Sequence, residues 1–237
     1  MPGEISVLSD RPFWKKADAV DLAYVGYGLL IVTLVLVSYL LGLFNLLPRD
    51  PQEIDLGLLM ARPGTEGHLL GTDFMGRDML SRLIVGIQAY FLPGLLAIFI
   101  ALFFGTVLGV AAGYRGGKFD TGISYFTNLV DSFPRLVLIL LVIAAFKPDI
   151  YYVMGVVGFT SVPVVTSLIK GKIQFLKQKN FIEADVALGL PTITILLKHV
   201  LCHNCLSLLI IQATLGMAEA ILMATSLSYL DFGVQEP

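Results

Sequence analysis

Apolar residues run together in this chain over stretches far longer than a surface helix or a half-buried strand requires. Five such stretches, at approximately 22–47, 88–113, 121–146, 150–170 and 206–230, each reach the roughly 20 residues that a helix needs to cross about 30 Å of hydrocarbon. The pattern predicts an all-α, polytopic membrane protein with about five transmembrane helices. Two of the five are interrupted: the third carries Asp131 and Arg135, and the fourth carries Gly155, Gly158 and Pro163.

Composition agrees with the pattern. Of 237 residues, 56% are hydrophobic and only 14% charged, and the mean hydropathy is +0.82, outside the balance of a soluble domain. A net charge of −2 supplies no basic field for nucleic acid. The two cysteines, Cys202 and Cys205, do not make a disulfide framework. The first apolar run follows Arg11, Lys15 and Lys16 and is about twice the length of a signal-peptide core, so it reads as a span that stays in place.

Placing the N-terminus in the cytoplasm puts ten Lys and Arg residues inside: Arg11, Lys15, Lys16, Arg115, Lys118, Lys170, Lys172, Lys177, Lys179 and Lys198. Five lie outside, namely Arg49, Arg62, Arg77, Arg82 and Lys147. This two-to-one bias follows the positive-inside rule. It gives residues 180–201, NFIEADVALGLPTITILLKHVL, a cytoplasmic address. There Asn180 is placed to cap a helix with Glu183 in its first turns, Gly189 to stop it, and Pro191 to open a second. Ile193, Leu196, Leu197, Val200 and Leu201 share a face at α-helical spacing, which describes a short amphipathic helix unable to span.

On the outer side, GTDFMGRD has its own legible physics. Gly71 and Gly76 permit turns, Thr72 and Asp73 can cap, and Asp78 begins an amphipathic helix with Met79, Leu80, Leu83, Ile84 and Ile87 on one side. Such a segment serves as an elbow held by Asp–Arg pairs, with Arg77 the arginine, or as a contact for a substrate-delivering protein. Gly105, Gly109 and Gly113 make two small-xxx-small steps along the second span, a pattern for close helix packing. Asp131 and Arg135, four apart around Pro134, can pair on one helix face. With Glu219, alone in the fifth span, they are the candidate groups along a translocation path.

EADVALG (183–189), followed ten residues after the glycine by His199, resembles the cytoplasmic EAA loop of ATP-binding-cassette (ABC) importer permeases. HLLGTDFMGRDMLSRLIVG (68–86) resembles the H-x-x-G-T-D-x-x-G-R-D-x-x-S-R block of the dipeptide, oligopeptide and nickel branch of that family. AGYRGGKFD (112–120), DSFP (131–134) and QATLGMAEAILMATSLSYLDFGVQEP (212–237) match in the same order, so the likeness covers roughly residues 65 to 237. The resemblance implies a type I importer permease fold, usually of six spans. Its first part, 1–65, would hold the N-terminal segment, first span and outer loop, and 66–237 the permease core. It implies that Glu183, Ala184, Asp185, Ala187 and Gly189 form a coupling helix docking on a separate ATPase. Gly71, Thr72, Asp73, Gly76, Arg77 and Asp78 would form the outer motif.

The chain also departs from the family pattern. Glu219 stands where a small residue is usual, and Ala224 where an acid is common. Against the family's H-x-L-P-N, residues His199 to Asn204 contain one extra residue and no proline. Family members also continue through a further span, so a truncated, non-transporting permease is one alternative expectation and a nickel importer another. A secondary transporter is a rival from a different class, with Glu219 as its suggestive residue.

HVLCHNC (199–205) offers imidazole and thiolate ligands, but its compact spacing on one helix cannot easily surround a metal, and no metal is expected. No G-x-x-x-x-G-K-[ST] phosphate loop occurs, nor a G-x-S-x-G or H-E-x-x-H constellation. The expectation is therefore a non-enzymatic permease subunit in the cytoplasmic (inner) membrane, lying in the lipid bilayer and passing short peptides by alternating access. It would bind no cofactor itself, with ATP and Mg held by two partner ATPase domains. A homologous second permease and an extracytoplasmic binding protein complete the expected assembly, and no nucleic acid takes part.

Overall fold

A computed structural model describes residues 19–146 and 149–229. Arg11, Lys15, Lys16, Lys147 and the last residues of the C-terminal motif lie outside the described residues. The elements are helices: α1 (Ala19–Leu43), α2 (Met79–Arg115), α3 (Gly117–Asp131), α4 (Arg135–Ala145), α5 (Ile150–Leu176), α6 (Asn180–Ala187), α7 (Thr192–Thr194), a π-helical segment Ile195–Cys205, and α8 (Leu206–Tyr229). No strand occurs among the described residues beyond isolated bridges at Thr65–His68 and Thr72–Asp78.

Four helical stretches are long and apolar enough to cross a membrane: Ala23–Leu43, Met79–Arg115, Ile150–Leu176 and Thr192–Tyr229. The pair α3 and α4 makes a fifth only as a broken span, bent by 76°. The expected continuous third span is thus corrected. Pro134 cannot donate a backbone hydrogen bond and forces the chain into an extended turn (φ −58°, ψ 125°) just before α4.

The chain forms two compact units, Met1–Ala89 and Tyr90–Pro237. In the first, α1 is apolar all round and exposes Tyr24, Leu29, Leu34 and Leu40, as a helix surrounded by lipid should. Its companion is an outer segment of turns leading into the first turns of α2. α2 has 37 residues, about 55 Å at 1.5 Å per residue. The separate amphipathic piece expected before the second span is therefore its N-terminal third, because nothing between Asp78 and Pro93 breaks the ladder.

In the second unit, α5 is the central helix, with thirteen buried residues. α2 meets it along the three spaced glycines. A Cβ on Gly105 would lie 2.5 Å from the Val165 Cβ, one on Gly109 2.8 Å from both the Ile169 Cβ and the Thr166 carbonyl oxygen, and one on Gly113 3.0 Å from the Ile173 Cβ and the Lys170 carbonyl oxygen. The repeat on α2 is therefore a packing seam, and backbone approach replaces the hydrophobic driving force that lipid removes. Replacing Gly109 with Leu should cost on the order of 1–3 kcal/mol or prevent folding. A lowered melting temperature in detergent would register this; an unchanged one would contradict the seam.

Candidate functional site: a helical handle and a wired elbow

The handle, expected from the charge bias to face the cytoplasm, is built from the end of α5 through the π-helical segment. α6 begins at Asn180 with Lys179 in the capping position and no side-chain cap, so the expected Asn180 cap does not form. The Ile182 amide instead donates to the Lys179 carbonyl oxygen (3.0 Å). α6 stops as expected at Gly189, whose φ of +73° suits glycine, and Pro191 stands immediately before α7.

Ile182 faces inward and joins a core with Ile173, Leu176, Ile195, Val200 and Cys205. Glu183, Ala184, Ala187 and Gly189 are exposed, as are the apolar side chains of Phe181, Val186 and Leu188, the last at 78%. Asp185 turns back and bonds His199 Nδ1. Two further links brace the handle: Lys177 Nζ donates to the Tyr114 carbonyl oxygen at 2.8 Å, and the Tyr114 hydroxyl reaches Thr192 Oγ1 at 3.4 Å. Sequence reasoning missed both, since nothing in the local pattern marks residues 63 and 78 positions apart as neighbours.

The return strand of the handle differs from expectation. Residues Thr192 to Cys205 are not a separate amphipathic helix but run into α8 without a break. Eleven of them, Ile195–Cys205, are π-helical. Their buried residues recur every five positions, at Ile195, Val200 and Cys205; of the face expected from the 3.6-residue period, Leu196, Val200 and Leu201 do meet the core, while Ile193 and Leu197 are exposed. His203 Nδ1 meets the Lys198 carbonyl oxygen, and Asn204 Nδ2 donates to the His199 carbonyl oxygen at 2.6 Å, both five residues back. A π turn is what one inserted residue produces in an α-helix. The extra residue near Cys202 was the available signal. Cys202 is exposed and Cys205 buried, and among the described residues no three His, Cys, Asp or Glu side chains converge on a common point.

The outer elbow is tightly wired. Gly71 and Gly76 adopt φ of +79° and +82°, and a Cβ there would fall 2.3 Å from the Ala61 and 1.9 Å from the Asp55 carbonyl oxygen, so only glycine fits. The Asp73 carboxylate accepts from the Met75 amide (2.8 Å), the Arg77 amide (3.0 Å) and Arg77 Nε (2.9 Å). Burial raises its pKa, but these donors together hold it below the ordinary 3.8.

Thr72 does not cap the helix as expected; its hydroxyl bonds the Leu58 carbonyl oxygen and accepts from the Ala61 amide. Asp78 is the helix cap, accepting from the Ser81 amide at 2.8 Å and from buried His68 Nδ1 at 2.8 Å. Burial again pushes upward, yet the Ser81 amide, the His68 ring and the Ser81 hydroxyl bring Asp78 below 3.8. With the His68 proton on Nδ1, its Nε2 is an acceptor without a partner among the described residues.

The expected pairing of Asp131 with Arg135 does not occur on one helix face. Asp131 ends α3 and Arg135 begins α4, and Arg135 Nη1 instead reaches Glu219 Oε1 on α8. A second ion pair, between Lys170 of α5 and Asp120 of α3, was not anticipated. Lys170 Nζ also donates to Ser124 Oγ at 2.9 Å.

These features together define a membrane permease: long apolar helices packed on a central α5, with a short exposed helix between two of them. Residues 105–235 match the family model of the binding-protein-dependent transport system inner membrane component, and the chain belongs to that family. It is a transport permease and not an enzyme. The chain is 31% identical over 228 residues to the oligopeptide transport system permease protein OppC of Haemophilus influenzae, covering 96% of this chain and 70% of the relative. It is 33% identical over 206 residues to the probable D,D-dipeptide transport system permease protein DdpC of Escherichia coli, covering 86% and 68%. To the glutathione transport system permease protein GsiD of Pectobacterium atrosepticum it is 29% identical over 228 residues, covering 96% and 74%.

The lowered pKa of Asp78 fixes a pH signature. A depressed carboxyl contributes stability that is full above its unfolded value near 3.8 and is lost as pH falls through the lower folded value. Asp78→Asn should melt below wild type at neutral pH, with the gap closing as pH drops below 3.8. A gap that persists unchanged well below that value would remove Asp78 from the elbow's support.

Proposed function

We propose that this chain is the peptide-passing permease subunit of an ATP-driven importer. It would sit in the inner membrane with its N-terminus in the cytoplasm, paired with a homologous second permease, two ATPase domains and an extracytoplasmic binding protein. The cargo reading is supported by relatives named for oligopeptide, D,D-dipeptide and glutathione transport, which favour short peptides over nickel. ATP and Mg belong to the partner ATPases, since this chain has no phosphate-cradling loop of its own.

One observation carries the coupling reading. α6 exposes Val186 and Leu188 to solvent while Ile182 anchors it in the core. An exposed apolar knob on a rigid, inward-anchored handle is the form of a docking element. When the ATPase pair closes, a push on α6 would pass through Ile182 and the Asp185–His199 bond to α5 and α8, and the spans would alternate between outward and inward access. The outer elbow, with Phe74 67% exposed above the braced Asp73–Arg77 pair, would face the binding protein.

Leu188→Asp tests the docking reading with little risk to folding, because the side chain is exposed. The variant should reach the membrane and melt as wild type does, yet lose ATPase co-purification and peptide-stimulated ATP hydrolysis. Full retention of both would overturn the assignment of α6 as the coupling helix.

A further inference from the structure

The Arg135–Glu219 pair is unlike the Lys170–Asp120 pair of the same helical unit. Lys170 and Asp120 are equally sheltered, each 24% exposed, and share Ser124 as a third partner, which describes a lock. In the pair of Arg135 with Glu219 the arginine is 24% and the glutamate 48% exposed. Glu219 lies within α8 (Leu206–Tyr229), about 20 Å from its first residue and inside a helical stretch long and apolar enough to cross a membrane. A half-exposed carboxylate within such a span is far better placed facing water or protein than lipid. Arg135 reaches it because the 76° break between α3 and α4 places the guanidinium at the first residue of α4.

The same face of α4 continues into an apolar cleft. Leu138 and Val142 follow Arg135 at steps of three and four, so they share its stripe, and Phe146 caps the end of the helix. With Tyr151, Tyr152 and Phe159 of α5 they help line a cleft of about 360 Å³, within the roughly 300–1,000 Å³ of ligand clefts. One end of this surface therefore offers a cation and an anion held, among the described residues, by each other, and the next turns offer an apolar trough. The complement of that arrangement is a zwitterion with an apolar side chain. A partly solvated pair also opens readily, because exposed ion pairs contribute little net stability.

We propose that Arg135 and Glu219 form a displaceable recognition pair in the translocation path, Arg135 taking the carboxylate and Glu219 the ammonium of a short peptide, with an apolar side chain in the adjoining cleft. The proposal rests on the peptide-importer reading. It makes the pair a specificity determinant that closes on itself when no cargo is present.

The test uses the complete complex in proteoliposomes with three probes: Ala-Phe, N-acetyl-Ala-Phe and Ala-Phe amide. Binding-protein affinity for each is measured separately, so that uptake is expressed per delivered peptide. Wild type should favour the free-ended peptide over each capped one by about tenfold, the factor that corresponds to about 1.4 kcal/mol. Glu219→Gln should erase the penalty for N-acetylation alone, and Arg135→Gln the penalty for amidation alone.

Arg135→Gln/Glu219→Gln, which leaves no unpaired charge, should erase both and decides the matter if a single variant fails to assemble. Equal loss for all three peptides in the variants, or a wild type indifferent to capping, would overturn the recognition role and leave a simple helix tie. A wild-type complex that moves none of the three while the binding protein holds them would instead overturn the peptide-importer reading, and the pair's role with it.

Discussion

The close approach of α2 to α5 is the constraint on which the rest of the helical unit depends. Lipid offers no hydrophobic reward for joining two apolar helices, so their association rests on how near the backbones come. At Gly105, Gly109 and Gly113 that distance leaves no room for even a methyl group beside Val165, Ile169 and Ile173. Those three α5 residues belong to the same core as Ile182, Ile195, Val200 and Cys205. The seam therefore sets where the handle's anchor sits, and any displacement of α6 is delivered to a helix that cannot slip past its neighbour.

The few polar groups in this apolar chain are placed where the helices would otherwise come apart. Lys170 ties α5 to α3, Asp185 ties α6 to the π-helical segment, and Arg135 ties α4 to α8. Each joins two separate helical elements, which no backbone hydrogen bond among the described residues links directly. Outside the spans the same logic appears in Asp73 and Asp78, whose carboxylates gather amides and side chains of the elbow. Because burying a carboxylate is unfavourable, its hydrogen-bond partners must be complete, and this makes the elbow rigid.

Much of this was legible in the sequence because it is local. Long apolar runs located α1, α2, α5 and α8, the glycine repeat marked a packing face, and Gly71, Gly76 and Gly189 marked turns that the dihedral angles bear out. Asp78 was placed correctly at a helix start. What was not legible was longer in range or finer in register. Asp131 and Arg135 satisfy the four-residue spacing of a helix pair, yet Pro134 between them breaks the helix that the spacing presupposes, and Arg135 finds a partner 84 residues away. Lys170 with Asp120 and Lys177 with Tyr114 are likewise products of the fold, with no local pattern to announce them.

The π-helical segment shows how a single residue changes the meaning of a pattern. Read at 3.6 residues per turn, Ile193, Leu196, Leu197, Val200 and Leu201 form one apolar face, but Ile193 and Leu197 are exposed while Ile195 and Cys205 are buried. The five-residue interval of Ile195, Val200 and Cys205 is the one that fits. The extra residue noted against the family pattern does not form a loop: the segment stays helical with wider turns, and His203 and Asn204 bond to carbonyls five residues behind. From Thr192 onward the return segment thus remains one continuous helical path into α8, and the Asp185–His199 bond fastens α6 to it at the widened turn. A push on α6 would consequently meet a strut and not a hinge.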